Sequence, residues 1–155
     1  MTTASTNDNA QSGHRMPTYQ ALAHDIKNLG VECVFGLMSD DTALFATEID
    51  TIGIPFIGGR HENNAIAMAE GYSSTTGRLG IAIIGRGPAA ANGLHAAVSA
   101  SRTGSKVLII YGEMPVGGGA VNTIGPDYKA FNASGVLAAA GLQTFSPRSP
   151  QAARA

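Results

Sequence analysis

Apolar residues along this chain follow two patterns that alternate, one with helical spacing and one continuous. Helical spacing predicts four helices, over residues 17–29, 41–49, 61–76 and 88–102. Short apolar runs predict four strands, over residues 31–35, 54–57, 79–84 and 106–111. Apolar strands that alternate with helices are typical of a parallel sheet covered on both faces. We therefore expect an α/β domain of three layers, in which a mostly parallel sheet is flanked by helices.

The two ends of the chain carry weaker patterns. The first sixteen residues are polar, which predicts a disordered lead-in over 1–16 and a domain over 17–155. Glycine and proline predict a loop over 114–126. Short helices are expected over 127–141 and a fifth strand over 142–146. Ser149 followed by Pro150 is a good helix start, so the last residues form a helix that frays or that belongs to a longer domain.

Charge and cysteine content exclude several classes of function. The chain has 10 Lys+Arg and 11 Asp+Glu and no long basic run, so we expect no nucleic acid and no anionic membrane among its partners. The sequence contains neither a signal peptide nor an apolar run of the roughly 18 residues that cross a membrane. Its single cysteine, Cys33, excludes an internal disulfide and fits a reducing compartment. A cytoplasmic protein that binds small molecules or other proteins is expected.

The most informative segment is R-H-E at residues 60–62, placed where a strand should end and a helix begin. Ligands of parallel sheets collect at the carboxyl ends of strands. Ala65, Ile66 and Ala69 lie at helical spacing from Glu62, so this carboxylate heads the apolar face of the helix. A carboxylate in that place must be paired, hydrogen-bonded or partly protonated. Glu62 is therefore the candidate functional acid, and the alternative is an ordinary first-turn acid that lies in water.

Two other reactive side chains are assigned structural roles. His61 has no partner at metal-ligand spacing, so we expect it to be a hydrogen-bonding neighbour of the site. Cys33 lies in a predicted strand without a C-x-x-C motif and is expected to be a small buried hydrophobe. We assign no metal ligand in this sequence.

A glycine turn, G-R-G-P at residues 85–88, follows the third predicted strand and leads into a helix. Such a turn suits an anion or a polar ring. The G-x-G-x-x-A spacing of residues 85–90 also fits a dinucleotide-binding fingerprint, with Glu113 as the acid for the ribose, so a dinucleotide-binding domain is one alternative. Pro88 argues against it, because proline removes a backbone N–H from the turn that would hold pyrophosphate.

Taken in order and spacing, these segments resemble the amino-terminal, pyrimidine-binding domain of thiamine-diphosphate enzymes of the acetolactate synthase and 2-oxo-acid decarboxylase group. The resemblance rests on V-F-G at 34–36, R-H-E at 60–62, A-x-x-M-A-E-G-Y at 65–72, and Gly87-Pro88 with Asn92. These motifs are spread over nearly the whole predicted domain.

The resemblance implies a role for each of these residues. In such enzymes, the glutamate in the position of Glu62 hydrogen-bonds the pyrimidine ring of the cofactor and favours the imino tautomer, which removes the thiazolium proton. The resulting ylid attacks a 2-oxo acid. The resemblance further implies that Gly87, Pro88 and Asn92 contact the pyrimidine end of thiamine diphosphate.

The resemblance also implies partners. Relatives bind the diphosphate and magnesium through a separate domain with a G-D-G motif, and this sequence has no such motif. We therefore expect the chain to work with the diphosphate-binding domain of a partner subunit, in a homo- or hetero-oligomer, on a small 2-oxo acid. The last helix and strand of the family's domain are expected to be missing from this sequence.

Departures from the family pattern concern the loops around the site. Leu37-Met38-Ser39 stands where the family commonly has proline and glycine, in a loop that lies near the substrate in relatives. Arg86 brings a charge into the glycine turn. The expected function is thus one half of an acetolactate synthase-like site for decarboxylation or carboligation, inactive alone. The alternative is a non-catalytic binding or assembly module, or an inactive fragment of such an enzyme.

Overall fold

A computed structural model describes residues 16–113 and 129–155 of the chain. The helices are α1 (Thr18–Asn28), α2 (Ala43–Thr51), α3 (Glu62–Thr76), α4 (Ala89–Asn92), α5 (Leu94–Thr103), α6 (Ala133–Ala139) and α7 (Pro150–Ala153). The strands are β1 (Val34–Gly36), β2 (Phe56–Gly58), β3 (Gly80–Ile84) and β4 (Val107–Tyr111). The predicted disordered lead-in and the predicted loop over 114–126 lie outside the described residues.

The four strands form one sheet in the order β2-β1-β3-β4, and every pair is parallel. The central strand β3 is buried along its whole length. Parallel neighbours place all four carboxyl ends at one edge of the sheet. The loops that follow β1, β2 and β3 therefore meet at that edge.

Helices cover both faces of the sheet, which confirms the expected three layers. On one face, Ala82 and Ile84 of β3 pack against Ala65, Ile66 and Ala69 of α3. On the other face, Ile81 and Ile83 pack against a set of side chains from α1 and α2: Ala23, Ile26, Phe45 and Ile49. Each fully buried isoleucine stabilises the fold by roughly 1.5–3 kcal/mol relative to an exposed one.

The helix predicted over 88–102 is in fact two helices, because the chain turns at Gly93 between α4 and α5. The α3 helix crosses closely at this point. A Cβ on residue 93 would lie 2.6 Å from Ile66 Cδ1 and 3.7 Å from Glu62 Cβ. Glycine thus allows the start of α3 and the end of α4 to approach each other. The sequence pattern misses the break because Gly93 falls within a continuous helical periodicity.

The strand predicted over 142–146 is wrong. These residues form no strand, and the Phe145 side chain is 82% exposed. The described residues contain one sheet, and β4 is its edge strand. No strand of this sheet pairs with residues 142–146. A short segment forms a strand only where a neighbouring strand is available to pair with it. Backbone from Leu142 instead closes α6 by donating to the Leu137 carbonyl at 3.0 Å.

Other predicted elements are confirmed with altered ends. Within 127–141 the structure contains the short helix α6. The helix start at Ser149 is confirmed, since its hydroxyl accepts a hydrogen bond from the Ala152 amide at 3.1 Å. The α2 helix begins only at Ala43, so Asp41 belongs to the preceding loop and not to the first turn of the helix. None of the helices in 16–113 and 129–155 combines the length and apolarity that crossing a bilayer requires.

Candidate functional site

Glu62 is the first residue of α3 and lies just beyond the carboxyl end of β2. His61 caps this helix, because its Nδ1 accepts a hydrogen bond from the Asn63 amide at 3.2 Å. The prediction that His61 is a hydrogen-bonding neighbour is therefore confirmed. The three residues expected beneath Glu62 on the apolar face are fully buried: Ala65, Ile66 and Ala69. Glu62 itself is half-buried, at the boundary between core and solvent.

Asn92, the last residue of α4, holds the Glu62 carboxylate. Its Nδ2 donates a hydrogen bond to Glu62 Oε2 at 3.1 Å. A second link between the same helices runs from the Ala96 amide to Asn63 Oδ1, at 2.9 Å. The start of α3 is thus fixed against α4 and α5 by two hydrogen bonds over long sequence separations. Among the residues that the structure describes, Asn92 supplies the one hydrogen bond to Glu62.

A cavity of about 260 Å³ opens beside Glu62 at the carboxyl ends of β1 and β3. Its lining comes from the loop after β1, from the glycine turn with α4, from Glu62 and from Lys129: Leu37, Met38, Ser39, Asp41, Glu62, Gly85, Arg86, Pro88, Ala89, Asn92 and Lys129. A cleft at this edge of a parallel sheet is where the ligands of such folds bind. Three of the four predicted site residues, Glu62, Pro88 and Asn92, come together there.

The fourth predicted residue, Gly87, does not line the cavity. Its φ of +68° is a left-handed conformation that side chains rarely adopt. A Cβ at this position would also collide with the carbonyl oxygen of Lys129, which lies against the turn. Gly87 therefore acts through the backbone, by letting the turn pass beneath Lys129. Because the Lys129 carbonyl covers the turn, the turn is unsuited to bind pyrophosphate. This argues against the dinucleotide-binding alternative.

Charged side chains form a group along one wall of the cavity. Asp41 accepts hydrogen bonds from Arg86 Nε at 3.1 Å and from Lys129 Nζ at 2.7 Å. Lys129 also pairs with Asp40. The Asp41 side chain is only 13% exposed, and those of Arg86 and Lys129 are 15% and 16% exposed. We call Asp41, Arg86 and Lys129 the Asp41 cluster.

The ion pairs of the Asp41 cluster keep its members charged. Burial by itself would raise the pKa of Asp41, but the hydrogen bonds from Lys129 and Arg86 outweigh burial and lower this pKa below its ordinary value. Burial opposes the charge on Lys129 too, and Asp40 and Asp41 together raise the pKa of Lys129. The cluster is therefore a set of ionised groups on the wall beside Glu62.

Sequence reasoning missed the Asp41 cluster. A signal existed, since a pair of aspartates follows β1 and Arg86 follows β3, and adjacent parallel strands bring such loops together. No sequence pattern marked Lys129, because its contact with Asp41 joins segments that are 88 residues apart.

Two other side chains have environments that follow from burial. Burial raises the pKa of Cys33. Its side chain packs against the core, as expected of a small hydrophobic residue, but it is only partly buried. The Tyr111 hydroxyl, at the end of β4, is buried and has no hydrogen-bond partner among the described residues, and burial raises the pKa of Tyr111 to about 12. Within the described ranges, no three His, Cys, Asp or Glu side chains are grouped so that they could hold a metal ion.

Comparisons with known proteins show the family to which this chain is similar. The family model described as thiamine pyrophosphate enzyme, N-terminal TPP binding domain, matches residues 16–142. Acetolactate synthase large subunits of Haemophilus influenzae and Lactococcus lactis are 31% and 30% identical to this chain over 96 residues. A Pseudomonas aeruginosa protein named as a probable 2-ketoarginine decarboxylase is 34% identical over 73 residues.

The matches cover about half or more of this chain but a small part of each relative. They include 61% of this chain for the two acetolactate synthase subunits and 47% for the decarboxylase. They cover 17% of each subunit and 13% of the decarboxylase. The chain therefore spans less than a fifth of the length of these relatives.

Proposed function

This chain belongs to the thiamine pyrophosphate enzyme family of N-terminal TPP-binding domains, and we propose that it forms the pyrimidine half of a thiamine-diphosphate site that acts on 2-oxo acids. The observation that carries the proposal is the position of Glu62. Its carboxylate heads α3, lines a cavity at the carboxyl edge of the sheet, and is oriented by Asn92.

The side chains around this cavity fit an aminopyrimidine ring. Such a ring has flat apolar faces and an edge of nitrogen atoms that donate and accept hydrogen bonds. Met38, Pro88 and Ala89 offer apolar surface, and the Glu62 carboxyl offers a group that can give or take a proton. The cavity of about 260 Å³ is smaller than the roughly 300–1,000 Å³ of pockets that enclose a whole ligand. This volume fits the proposal that the chain receives the pyrimidine end of the cofactor.

Glu62 acts through one of its two oxygens. Asn92 donates to Oε2, which leaves Oε1 to share a proton with a ring nitrogen. The start of α3, where backbone N–H groups gather, stabilises the charged carboxylate when that proton is given up. When it is bound, thiamine diphosphate supplies the ring that accepts the electrons released as carbon dioxide leaves a 2-oxo acid. The contribution of this chain is to hold the Glu62 carboxyl where it can donate a proton to the ring nitrogen and accept it back.

A second domain completes the proposed site. We propose that the diphosphate and Mg²⁺ are bound by a diphosphate-binding domain of a partner subunit, in a homo- or hetero-oligomer located in the cytoplasm. The volume of the cavity, below that of pockets that enclose a whole ligand, supports this division. The names of the relatives support acetolactate synthase-like decarboxylation or carboligation as the reaction class.

Calorimetry tests the proposal directly. The full chain is titrated with thiamine diphosphate and Mg²⁺, alone and together with a G-D-G-containing polypeptide encoded beside it. We expect heat of binding and release of carbon dioxide from a 2-oxo acid only in the presence of the second polypeptide. Absence of heat in both arrangements would instead favour the non-catalytic module.

The substitution Glu62→Gln then tests the assigned residue. Glutamine keeps the shape of the side chain but cannot exchange the proton, so turnover of the assembly should be lost. Glu70→Gln is the matched control, because Glu70 lies on the same helix and bonds Ser74 and Ser105 away from the cavity. Full activity of the Glu62→Gln assembly would defeat the proposal.

A further inference from the structure

The Asp41 carboxylate lies where three segments of the chain meet beside Glu62. We infer that Asp41 is a positioning residue for the Glu62 site, because it fixes the glycine turn that sets the place of Asn92. This inference rests on the proposed function for its consequence in catalysis. The structural part can be tested on the chain without any ligand.

The first step of the argument is the set of contacts that Asp41 makes. Its Oδ1 accepts from Arg86 Nε at 3.1 Å. Its Oδ2 accepts from Lys129 Nζ at 2.7 Å and lies 3.4 Å from the backbone N of Arg86. One carboxylate thus joins the loop after β1, the turn after β3 and the segment before α6. Hydrogen bonds between ionised groups are about twice as strong as neutral ones.

The second step is the packing around these contacts. A Cβ on Gly112 would lie 3.1 Å from Asp41 Cβ and 3.2 Å from the Arg86 backbone N. A Cβ on Gly85 would lie 2.9 Å from the hydroxyl of Ser39. The glycine turn therefore touches the loop after β1 at Gly85, and Gly112, which follows β4, lies against both Asp41 and Arg86. A shift of Asp41 would be transmitted to the backbone of Arg86.

The third step leads from Arg86 to Asn92. Residues 87 and 88 follow Arg86 and supply the carbonyls on which α4 is built. The Ala90 amide donates to the Gly87 carbonyl at 3.0 Å, and the amides of Ala91 and Asn92 donate to the Pro88 carbonyl at 3.0 and 3.2 Å. The end of α4 is closed by a further hydrogen bond, from the Gly93 amide to the Ala89 carbonyl at 3.1 Å. The place of Asn92, and with it the hydrogen bond to Glu62, depends on the turn that Asp41 fixes.

The electrostatic cost of losing Asp41 makes it the central member of the cluster. Without this carboxylate, two cations that are each about 85% buried would face each other across the turn with one anion fewer. Removing one partner of a buried ion pair is more costly than the pair itself is favourable. Lys129 keeps its contact with Asp40, whereas the hydrogen bond from Arg86 Nε to Asp41 is lost, so the turn is expected to move.

Hydrogen exchange of the full chain tests the inference through Asp41→Asn. We expect exchange at the amides of Ala90, Ala91 and Asn92 to rise by about tenfold or more, because charged hydrogen bonds that hold the turn are lost. Amides of β3 should change less, since they report opening of the whole domain. Asp25→Asn is the matched control: it removes a carboxylate that binds Arg154 at 2.5 and 2.7 Å, outside the cavity.

Two outcomes would overturn the inference. One is unchanged exchange at the three α4 amides in Asp41→Asn, and the other is an equal rise over α4 and β3. If Asp41→Asn does not fold, Arg86→Gln removes one arm of the cluster and should give the same local rise. Unchanged α4 exchange in that variant would overturn the inference as well.

A second readout separates positioning from mere stability. In the parent chain, Glu62→Gln should shift the NMR signals of the Asn92 side-chain amide, because the two side chains are hydrogen-bonded. In the Asp41→Asn background this response should fall to less than half, and an undiminished response would contradict the inference. Neither measurement uses a cofactor. Absence of thiamine diphosphate binding in the parent assembly would therefore count against the proposed function and not against the role of Asp41.

Discussion

The amide of Asn92 donates to the carboxylate of Glu62 across 30 residues of sequence, at 3.1 Å. This hydrogen bond joins the end of α4 to the beginning of α3 at the mouth of the cavity. From the sequence, both residues were assigned to the cofactor site, and Asn92 was expected to contact the cofactor. In the structure Asn92 contacts Glu62, and its contact with a cofactor stays a prediction.

The role of Asn92 can be tested by Asn92→Ala in the proposed assembly. The hydrogen bond from Asn92 Nδ2 orients the Glu62 carboxylate, so its loss should let this side chain leave the position that the reaction needs. We expect turnover to fall by about tenfold, which corresponds to the roughly 1.5 kcal/mol of a hydrogen bond to a charged group. Steady-state rates over a range of substrate concentrations, compared as rate profiles, provide the measurement.

Asn64→Ala is the control for that experiment, since Asn64 is exposed on the same helix and outside the cavity. An Asn92→Ala profile that coincides with the profiles of the parent and of Asn64→Ala would show that Asn92 does not orient Glu62.

Gly87 and Gly104 offer a matched pair for the cost of a side chain in the glycine turn. Both have a φ of +68°, but only Gly87 lies against the Lys129 carbonyl, whereas nothing lies within 4 Å of a Cβ at Gly104. Gly104→Ala should lower the free energy of unfolding by about 1 kcal/mol through backbone strain alone. Gly87→Ala should cost about 1–3 kcal/mol more, because the turn and Lys129 must move apart.

Urea denaturation of the two variants and the parent chain measures this difference. Equal costs for Gly87→Ala and Gly104→Ala would mean that residue 129 does not cover the turn.

The buried Tyr111 hydroxyl should lower stability, because it has no hydrogen-bond partner in the structure. Tyr111→Phe removes this unsatisfied group and should leave the free energy of unfolding unchanged or raise it by up to about 1 kcal/mol. Tyr72→Phe is the control, because the Tyr72 hydroxyl donates to Glu32 at 3.0 Å and its removal should not stabilise. A clear loss of stability in Tyr111→Phe would indicate that the hydroxyl has a partner.

The same tyrosine makes stability depend on pH in alkaline solution. Burial raises the pKa of Tyr111 from 10.0 to about 12, so the folded state keeps a proton that the unfolded state has already lost. The stability therefore does not depend on pH through Tyr111 below pH 10, and it falls as the pH rises from 10 to about 12. Denaturation at several pH values should show a steeper fall for the parent than for Tyr111→Phe, and parallel curves would contradict the assignment.

Local patterns in the sequence were sufficient for the order of the elements and for the start of α3. Apolar periodicity placed Ala65, Ile66 and Ala69 beneath Glu62, and the structure buries all three completely. This inference succeeds because helical spacing and the end of a parallel strand are properties of short segments. The family followed from residues in the same segments, and the family match confirms it.

Errors arose where an element depends on a distant neighbour. Residues 142–146 have no strand beside them among the described residues with which to pair, and the break between α4 and α5 falls at Gly93, where Ile66 of α3 lies close. Neither fact can be inferred from the segment concerned, since pairing and crossing are set by parts of the chain far away in sequence.

The sequence by itself determined that this protein has alternating strands and helices and an acid, Glu62, at the carboxyl edge of its sheet. Only the tertiary structure decided what surrounds that acid: Asn92 on its Oε2, and Asp41 between Arg86 and Lys129 on the cavity wall. The physical reason is the distance along the sequence over which each kind of interaction acts. Periodicity and capping act within a few residues, whereas these contacts join loops that the order of strands brings together from separations of up to 88 residues.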